Sequence, residues 1–494
     1  MNVQRNSPRT FLVIASLAVS MSCLGPAVQA SEPSAPFRQA EERESSMIYL
    51  FQEGTNLGAV AEDIQEVDAK ASVALMNEID TLTVQASGPA QSEEIVELVQ
   101  RKYGSLVAEK GEDQTVNAGD VQPDGVPLIS SLAPMLVSRQ AAASANQNLE
   151  DGEGSAYQKW LWDIDLVTRN GASRDMQSGN HSVKIGIVDS GLDFNHPDLK
   201  ANIVSKGRSF IEGVADTQDY MGHGTMVAGS IAANGHIKGI APDIGIVPYK
   251  VFHTGNADSS DVIEAIVAAA NDDMDVINLS LGVYKSLKNK EEKAVYEAYK
   301  RALKYAEKEN SFVVASSGTE NAGFDIFNAK KLAAARGFSK DAQLHMPGGL
   351  DHAYTVAATN KENALTFYSN YGKNVSIGAP GGDYGPLADQ GLYDVRHMTL
   401  TTYPTNLAQS VTSQYAGFEK GYEFMTGTSL AAPKVSATAA LVIAEYEEVH
   451  GKKPKVREVE KILEKGAVKG DSKKFGAGIV NAHDSLQLIG QKKK

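Results

Sequence analysis

Cysteine is all but missing. The 494-residue chain holds one, Cys23, inside an N-terminal stretch that reads as a cleavable export signal. A processed form therefore carries no thiol and no intramolecular disulfide, so stability must come from a large core, with metal ions as the other available support. Positive charge is short as well. There are 47 Lys and Arg against 61 Asp and Glu, a net charge of −14, which would repel a polyanion such as nucleic acid. Long hydrophobic runs are lacking: residues 11–19 form a nearly unbroken apolar run, too short to span a bilayer comfortably. No other segment is long and apolar enough, and no internal repeat is apparent. Lys492-Lys493-Lys494 follows neither a hydrophobic tail nor a wall-sorting pattern, so no C-terminal anchor is expected.

What is present divides the chain. At this length a single ordinary core is unexpected, and two folded units plus processing segments fit better. Residues 1–30 read as the signal: Arg5 and Arg9, then the apolar run, then Val28-Gln29-Ala30 with cleavage after Ala30. A lipoprotein signal ending at Cys23 ranks below this, because Ser20 stands where such signals usually carry a branched apolar residue. Residues 31–110 contain a small α+β pattern of strand, helix, strand, strand, helix, strand, with a last strand at 105–108, which is the ferredoxin-like order. Residues 111–155 show little periodicity and are rich in Gly, Ser, Ala, Asn, Gln and Asp, as in an exposed, protease-sensitive linker. From 156 to 494 short Val- and Ile-rich runs at 183–188, 246–251, 276–281, 312–315 and 354–358 alternate with helical segments at 225–233, 259–270 and 291–309. That alternation predicts an α/β fold, a parallel sheet covered by helices on both faces, with its chemistry at the carboxyl ends of the strands.

Three local motifs carry chemistry. Asp189 directly follows the run Lys184-Ile185-Gly186-Ile187-Val188, and an acid held at the end of a buried strand can fix a histidine tautomer and stabilise its imidazolium. His223 lies between Gly222 and Gly224 at the start of a helix lined by Ala228, Gly229 and Ala232. Ser429 lies in Gly427-Thr428-Ser429-Leu430-Ala431-Ala432-Pro433, which opens a helix whose free N–H groups and dipole favour negative charge on an attacked carbonyl oxygen. Pro433 is tolerable there if it falls in the first turn. Each motif alone reads equally as a cap or a turn. Together they form an acid–histidine–serine order.

These motifs resemble the signatures of the subtilase family of serine proteases, and Val276-Ile277-Asn278-Leu279-Ser280-Leu281-Gly282 and Gly378-Ala379-Pro380-Gly381 are similar to further family segments. The resemblance covers roughly residues 159–489 and implies a subtilisin-like catalytic domain. Ser429 would attack the peptide carbonyl, His223 would shuttle the proton and Asp189 would orient it. Ser280, Leu281 and Gly282 would pair with the substrate backbone as an added strand. The N-terminal unit resembles the family's propeptide, an inhibitor and chaperone of its own protease. Self-cleavage is then expected in the linker, with Arg139, Glu150 and Glu153 as candidates.

Two departures from the family stand out. Its oxyanion-hole asparagine usually follows a glycine directly, whereas here the run is Ser316-Ser317-Gly318-Thr319-Glu320-Asn321. Either Asn321 reaches the oxyanion, the preferred reading, or the Thr319 hydroxyl substitutes. The stretch after the histidine helix, Ala233-Asn234-Gly235-His236, carries no calcium loop, so no metal site or cofactor is expected beyond weak calcium sites. The expected function is that of a secreted, self-processing serine endopeptidase. Its overall similarity to the lantibiotic leader peptidases points to leader removal, with a broad degradative protease and a catalytically silent binding module as the alternatives. Its partners would be a peptide or protein substrate and its own propeptide, with no nucleic acid and no membrane span in the mature form. Glu320, near the specificity pocket, would attract a basic side chain or face solvent.

Overall fold

A computed structural model describes residues 46–116, 155–391 and 393–490. The export-signal region and the candidate cut sites Arg139, Glu150 and Glu153 lie outside the described residues.

Near the N-terminus β1 (Met47–Phe51), β2 (Ser72–Met76), β3 (Thr81–Gln85) and β4 (Val107–Glu112) form an antiparallel sheet in the order β2-β3-β1-β4. Successive side chains of a strand point to opposite faces, and β1 uses both. Tyr49 and Phe51 pack with Leu57, Ile64 and Val99 from the helices Leu57–Val67 and Pro89–Tyr103. Ile48 and Leu50 join a second apolar cluster with Val295 and Tyr299 of the helix Lys290–Lys308. One face of this small sheet thus covers itself, while the other is covered by the larger body. Arg301 of the same helix donates to the carbonyls of Phe51 at 3.0 Å, Ile79 at 2.9 Å and Asp80 at 3.1 Å.

The last strand of this sheet runs on to Glu112, beyond the 105–108 stretch read from sequence, and the chain stays ordered after it. Gly111 lets β4 press against the backbone carbonyl of Glu291, where any Cβ would collide. Asp113 then caps the start of the helix Ser259–Asn271, accepting from Ser260 N at 3.2 Å and from the Ser260 hydroxyl. Finally β5 (Thr115–Val116) pairs antiparallel with β9 (Ala257–Asp258).

The large sheet contains β6 (Lys184–Asp189), β7 (Arg208–Ser209), β8 (Gly245–Lys250), β10 (Val276–Leu279), β12 (Phe312–Ser316), β14 (Tyr354–Thr359) and β15 (Ile377–Pro380). Their order is β15-β14-β12-β10-β6-β8-β7, and every pairing is parallel. Alternation explains why both faces are covered. Ile185, Ile187, Phe312 and Val314 meet Val227 and Ile231 of the helix His223–Ala232 and Val435 and Val442 of the helix Thr428–His450. Val188, Ile277, Val313 and Ala315 face Ile263, Val267 and Leu303 on the other side. Asp189, Ser280 and Ser317, at or just past the ends of β6, β10 and β12, therefore come out at one edge of the sheet.

The serine helix corrects one expectation. Pro433 is its sixth residue, past the first turn, so its missing N–H would strand the carbonyl of Ser429 four residues back. The hydroxyl of Ser280 fills that vacancy, donating to Ser429 O at 2.9 Å. One residue later Lys434 is fully buried. Its Nζ donates to Leu430 O at 2.9 Å and pairs at 2.8 Å with Asp163, equally buried in the short helix Trp162–Thr168. Removing one member of such a pair leaves an uncompensated charge and costs about 3–5 kcal/mol. Lys434→Met should lower the denaturation midpoint accordingly, while Lys434→Met with Asp163→Leu should recover most of the loss. Equal instability of the single and double variants in urea titrations would show that the ion pair is not what matters there.

Candidate active site

Three strand ends and two helix starts supply the site. Asp189 closes β6 and is fully buried, with its Oδ1 accepting from Ser190 N at 2.7 Å. His223 is the first residue of its helix. Gly222 before it takes a left-handed φ of 103°, and a Cβ there would strike the Tyr403 ring. That turn brings His223 Nδ1 to within 2.7 Å and 2.8 Å of the two Asp189 oxygens. An ionised carboxylate only accepts, so Nδ1 carries the proton and Nε2 presents its lone pair. Nε2 is buried and has no hydrogen-bond partner among the described residues.

Ser429, the second residue of its helix, has its Oγ directed at the carbonyl of Ser280, 3.1 Å away. The structure thus joins Asp189 to His223 directly and ties Ser429 to the end of β10. A hydrogen-bond chain holds this corner: Ser436 Oγ donates to Asn278 Oδ1 at 2.8 Å, Asn278 Nδ2 to Ser280 Oγ at 2.9 Å, and Ser280 Oγ to Ser429 O. Leu281 is buried and Gly282 half-buried beyond Ser280.

On the other side of Ser429 the structure places Thr319, and not Asn321, against the serine helix. Gly318 takes a left-handed φ of 102°, turning the chain so that Thr319 Oγ1 lies 2.9 Å from Thr428 Oγ1 and accepts from Thr428 N at 3.1 Å. Thr319 is the side chain tied to the serine helix. Asn321 is exposed, and no hydrogen bond joins it to that helix among the described residues. Glu320 is half-buried, its amide donating to Tyr368 O at 2.9 Å.

Sequence reading passed over Asp219, the buried hub beneath the histidine. Its carboxylate accepts from Met221 N at 2.9 Å, Gly222 N at 2.7 Å, Thr225 N at 2.9 Å, Thr225 Oγ1 at 2.7 Å and Ser190 Oγ at 2.9 Å. Ser190 Oγ in turn accepts from Gly224 N at 2.8 Å. Asp219 therefore fastens the start of the histidine helix to the residue after Asp189. An acid shortly before an expected helix start was the available signal. Burial pushes the Asp219 carboxyl up, against donors that favour its ionised form. Burial alone would lower the His223 imidazole, but the charge and hydrogen bond of Asp189, with Asp219 behind it, raise it above the ordinary value.

After the histidine helix the chain turns back at once, Gly235 N donating to Ile237 O at 3.0 Å, and Asp198 accepts from Ile237 N at 2.9 Å. Among the described residues no group of three or more His, Cys, Asp or Glu side chains is placed to hold a metal ion.

A buried acid–histidine pair and a serine at a helix start, both at the carboxyl edge of one parallel sheet, fit a serine hydrolase. The chain belongs to the subtilase family (Peptidase_S8), whose profile matches residues 180–478, and it is a serine endopeptidase. It is similar to the epidermin leader peptide-processing serine protease EpiP of Staphylococcus epidermidis, with 31% identity over 328 residues, 61% of this chain and 68% of that protein. The nisin leader peptide-processing serine protease NisP of Lactococcus lactis subsp. lactis is 30% identical over 63% of this chain, which spans 47% of NisP. Among solved structures a lanthipeptide protease matches with a TM-score of 0.61 at 35% identity, covering 71% of this chain and 98% of that one. EpiP from Staphylococcus aureus matches with a TM-score of 0.70 at 25% identity, covering 91% and 99%.

The electrostatics fix a sign. A base must be neutral to accept a proton, so with His223 as the proposed base its raised value would hold the acid limb of kcat/KM above the ordinary imidazole value of about 6.5. Removing the Asp219 charge removes one of the raising influences. In Asp219→Asn the limb should move to lower pH, and a pH profile in which it stays put or moves up would show that this charge is not felt at the imidazole.

Proposed function

We propose that Asp189, His223 and Ser429 form the catalytic triad of a secreted protease that removes the leader from a lanthipeptide-type precursor peptide. The observation that carries the chemistry is the pairing of His223 Nδ1 with both Asp189 oxygens, which leaves Nε2 free for the serine hydroxyl. Ser429 Oγ attacks the carbonyl as Nε2 takes its proton, and Asp189 stabilises the imidazolium. The same proton then goes to the leaving amine. The Ser429 N–H, in the first helical turn, and the Thr319 hydroxyl hold the oxyanion. The hydroxyl is turned to this task from its contact with the Thr428 hydroxyl. Ser280, Leu281 and Gly282 offer the backbone edge for an extended substrate. These side chains complete the reaction without a cofactor, and any calcium would serve stability. Likeness to two leader-processing proteases supports the substrate assignment. The signal-like start supports export.

The N-terminal unit supports a zymogen reading. Its tail leaves β4, caps a helix of the catalytic body and pairs as β5 with β9, ahead of the linker in which self-cleavage is proposed. Tyr157, Leu161 and Trp162 are buried in the catalytic core, so a productive cut falls before them, as Arg139, Glu150 and Glu153 all do.

Mass spectrometry of the precursor, produced without its signal, beside Ser429→Ala tests this. The wild type is expected to shed its N-terminal region at a linker bond while the variant stays whole. Identical cutting of both, or of neither, would remove the self-processing reading. The matured enzyme should cut a leader–core precursor at one bond and leave unfolded casein largely intact; extensive casein digestion would favour the broad degradative reading. Thr319→Val should lower kcat about 10²–10³-fold with little change in KM, whereas Asn321→Ala should not. The reverse pattern would return the oxyanion role to Asn321.

A further inference from the structure

The recess beside the attacked bond is already partly filled. β10 and β12 are parallel neighbours, and past their ends Ser280-Leu281-Gly282 and Ser316-Ser317-Gly318 continue side by side, tied by Ser316 Oγ to Leu281 O at 3.4 Å. The imidazole of His345 lies between the two glycines. A Cβ on Gly282 would collide with its Nε2, and one on Gly318 would stand 2.7 Å from the same atom. Only glycines on both walls make room for this ring. Ser429 Oγ touches Ser280 O, and Thr319 follows Gly318 directly. On the triad reading, the side chain of the residue whose carbonyl is attacked enters between these two segments, a slot with His345 at its base.

His345, on β13 (Gln343–Met346), is buried and held on one side only. Its Nδ1 donates to Gly348 O at 2.8 Å, which leaves Nε2 as an acceptor with no hydrogen bond among the described residues. The Tyr284 ring meets it edge-on at 5.0 Å, and the Arg336 guanidinium lies 3.7 Å from the Tyr284 ring centre. Asn370 Nδ2 donates to the Tyr284 hydroxyl at 2.6 Å. The one acid of this cluster, Glu320, is engaged with that same hydroxyl. Burial, with Arg336 adding to it, pushes the imidazole down to about 4 against the pull of the Gly348 carbonyl, so the empty slot is uncharged at His345.

We propose that His345 is the specificity-determining floor of this slot and that the protease cuts after acidic residues. The proposal rests on the triad reading above. The ring shortens the slot, which disfavours a large apolar side chain, and such a side chain would also leave Nε2 unpaired. A cationic side chain would be brought toward Arg336. A carboxylate lets Nε2 take a proton from solvent, so that both ring nitrogens donate, one to Gly348 O and one to the substrate, and Arg336 adds favourable charge. The sequence after β5 agrees. Between Val116 and Arg139 the only charged residues are Asp120 and Asp124.

Fluorogenic peptides differing only at the residue before the cut, with Glu, Asp, Ala, Phe or Arg, test this on the matured enzyme. Wild type should prefer Glu or Asp to Ala by about 100-fold in kcat/KM, and His345→Ala and His345→Gln should erase most of that ratio. The ratio is taken within each variant, so it does not depend on the folded fraction. A wild-type preference for Arg or Phe, a self-cleavage site mapped to Arg139, or an unchanged ratio in both variants would overturn the proposal. If no peptide is cut and Ser429 takes up no fluorophosphonate, the triad reading itself fails and carries this one with it. Labelling of Ser429 together with a wrong preference overturns the specificity alone.

Discussion

Moving a carboxylate out of water costs several kcal/mol unless donors replace the lost hydration. Asp189, buried at the end of a central strand, meets that requirement with a backbone amide and with the imidazole it orients. The arrangement is self-limiting: the ring must come within hydrogen-bonding distance of both oxygens, and only a sharp left-handed turn at Gly222 brings it there. A second buried carboxylate, Asp219, holds the turn. The reactive pair is thus a small part of a polar network whose remaining members exist to keep two buried charges satisfied.

The serine is governed from a different direction. Its helix contains a proline too deep to be harmless, and the stranded carbonyl is that of Ser429, the proposed nucleophile. The hydroxyl that repairs the break belongs to Ser280, the residue that also begins the proposed substrate edge. Backbone repair and substrate registration therefore share one side chain, supported from below by Asn278 and Ser436. Further along, Lys434 and Asp163 tie the same helix to the segment that follows the linker, so the stretch just after the proposed cuts is structural cement for the reactive helix.

The Val- and Ile-rich runs of the large sheet were legible because burial on both faces leaves little freedom of composition. Asp189, His223 and Ser429 stood out because each sits where a strand stops or a helix begins. Other features depend on contacts that no local window contains. Ser280 and Ser429 are 149 residues apart, so the compensation for Pro433 was invisible. Thr319 and not Asn321 meets the serine helix because the path after Gly318, and not the residue type, decides which side chain reaches it. His345 could not be placed between Gly282 and Gly318, which follow two other strands. The extent of β4 and its tail was missed because Gly111 and Asp113 look like linker residues until the helices they press against are in place.

That tail has a consequence for timing. While the chain between Val116 and Ser155 is intact, the face of β1 that carries Ile48 and Leu50, the Asp113 cap and the β5–β9 pairing are all presented to the catalytic body by a tether, at a high effective concentration. Once that tether is severed the same contacts become a bimolecular equilibrium. On the proposed zymogen reading, release of activity then follows dilution and time as much as the cut itself, and a crowded compartment keeps newly cleaved enzyme quiet until it diffuses away from its partner.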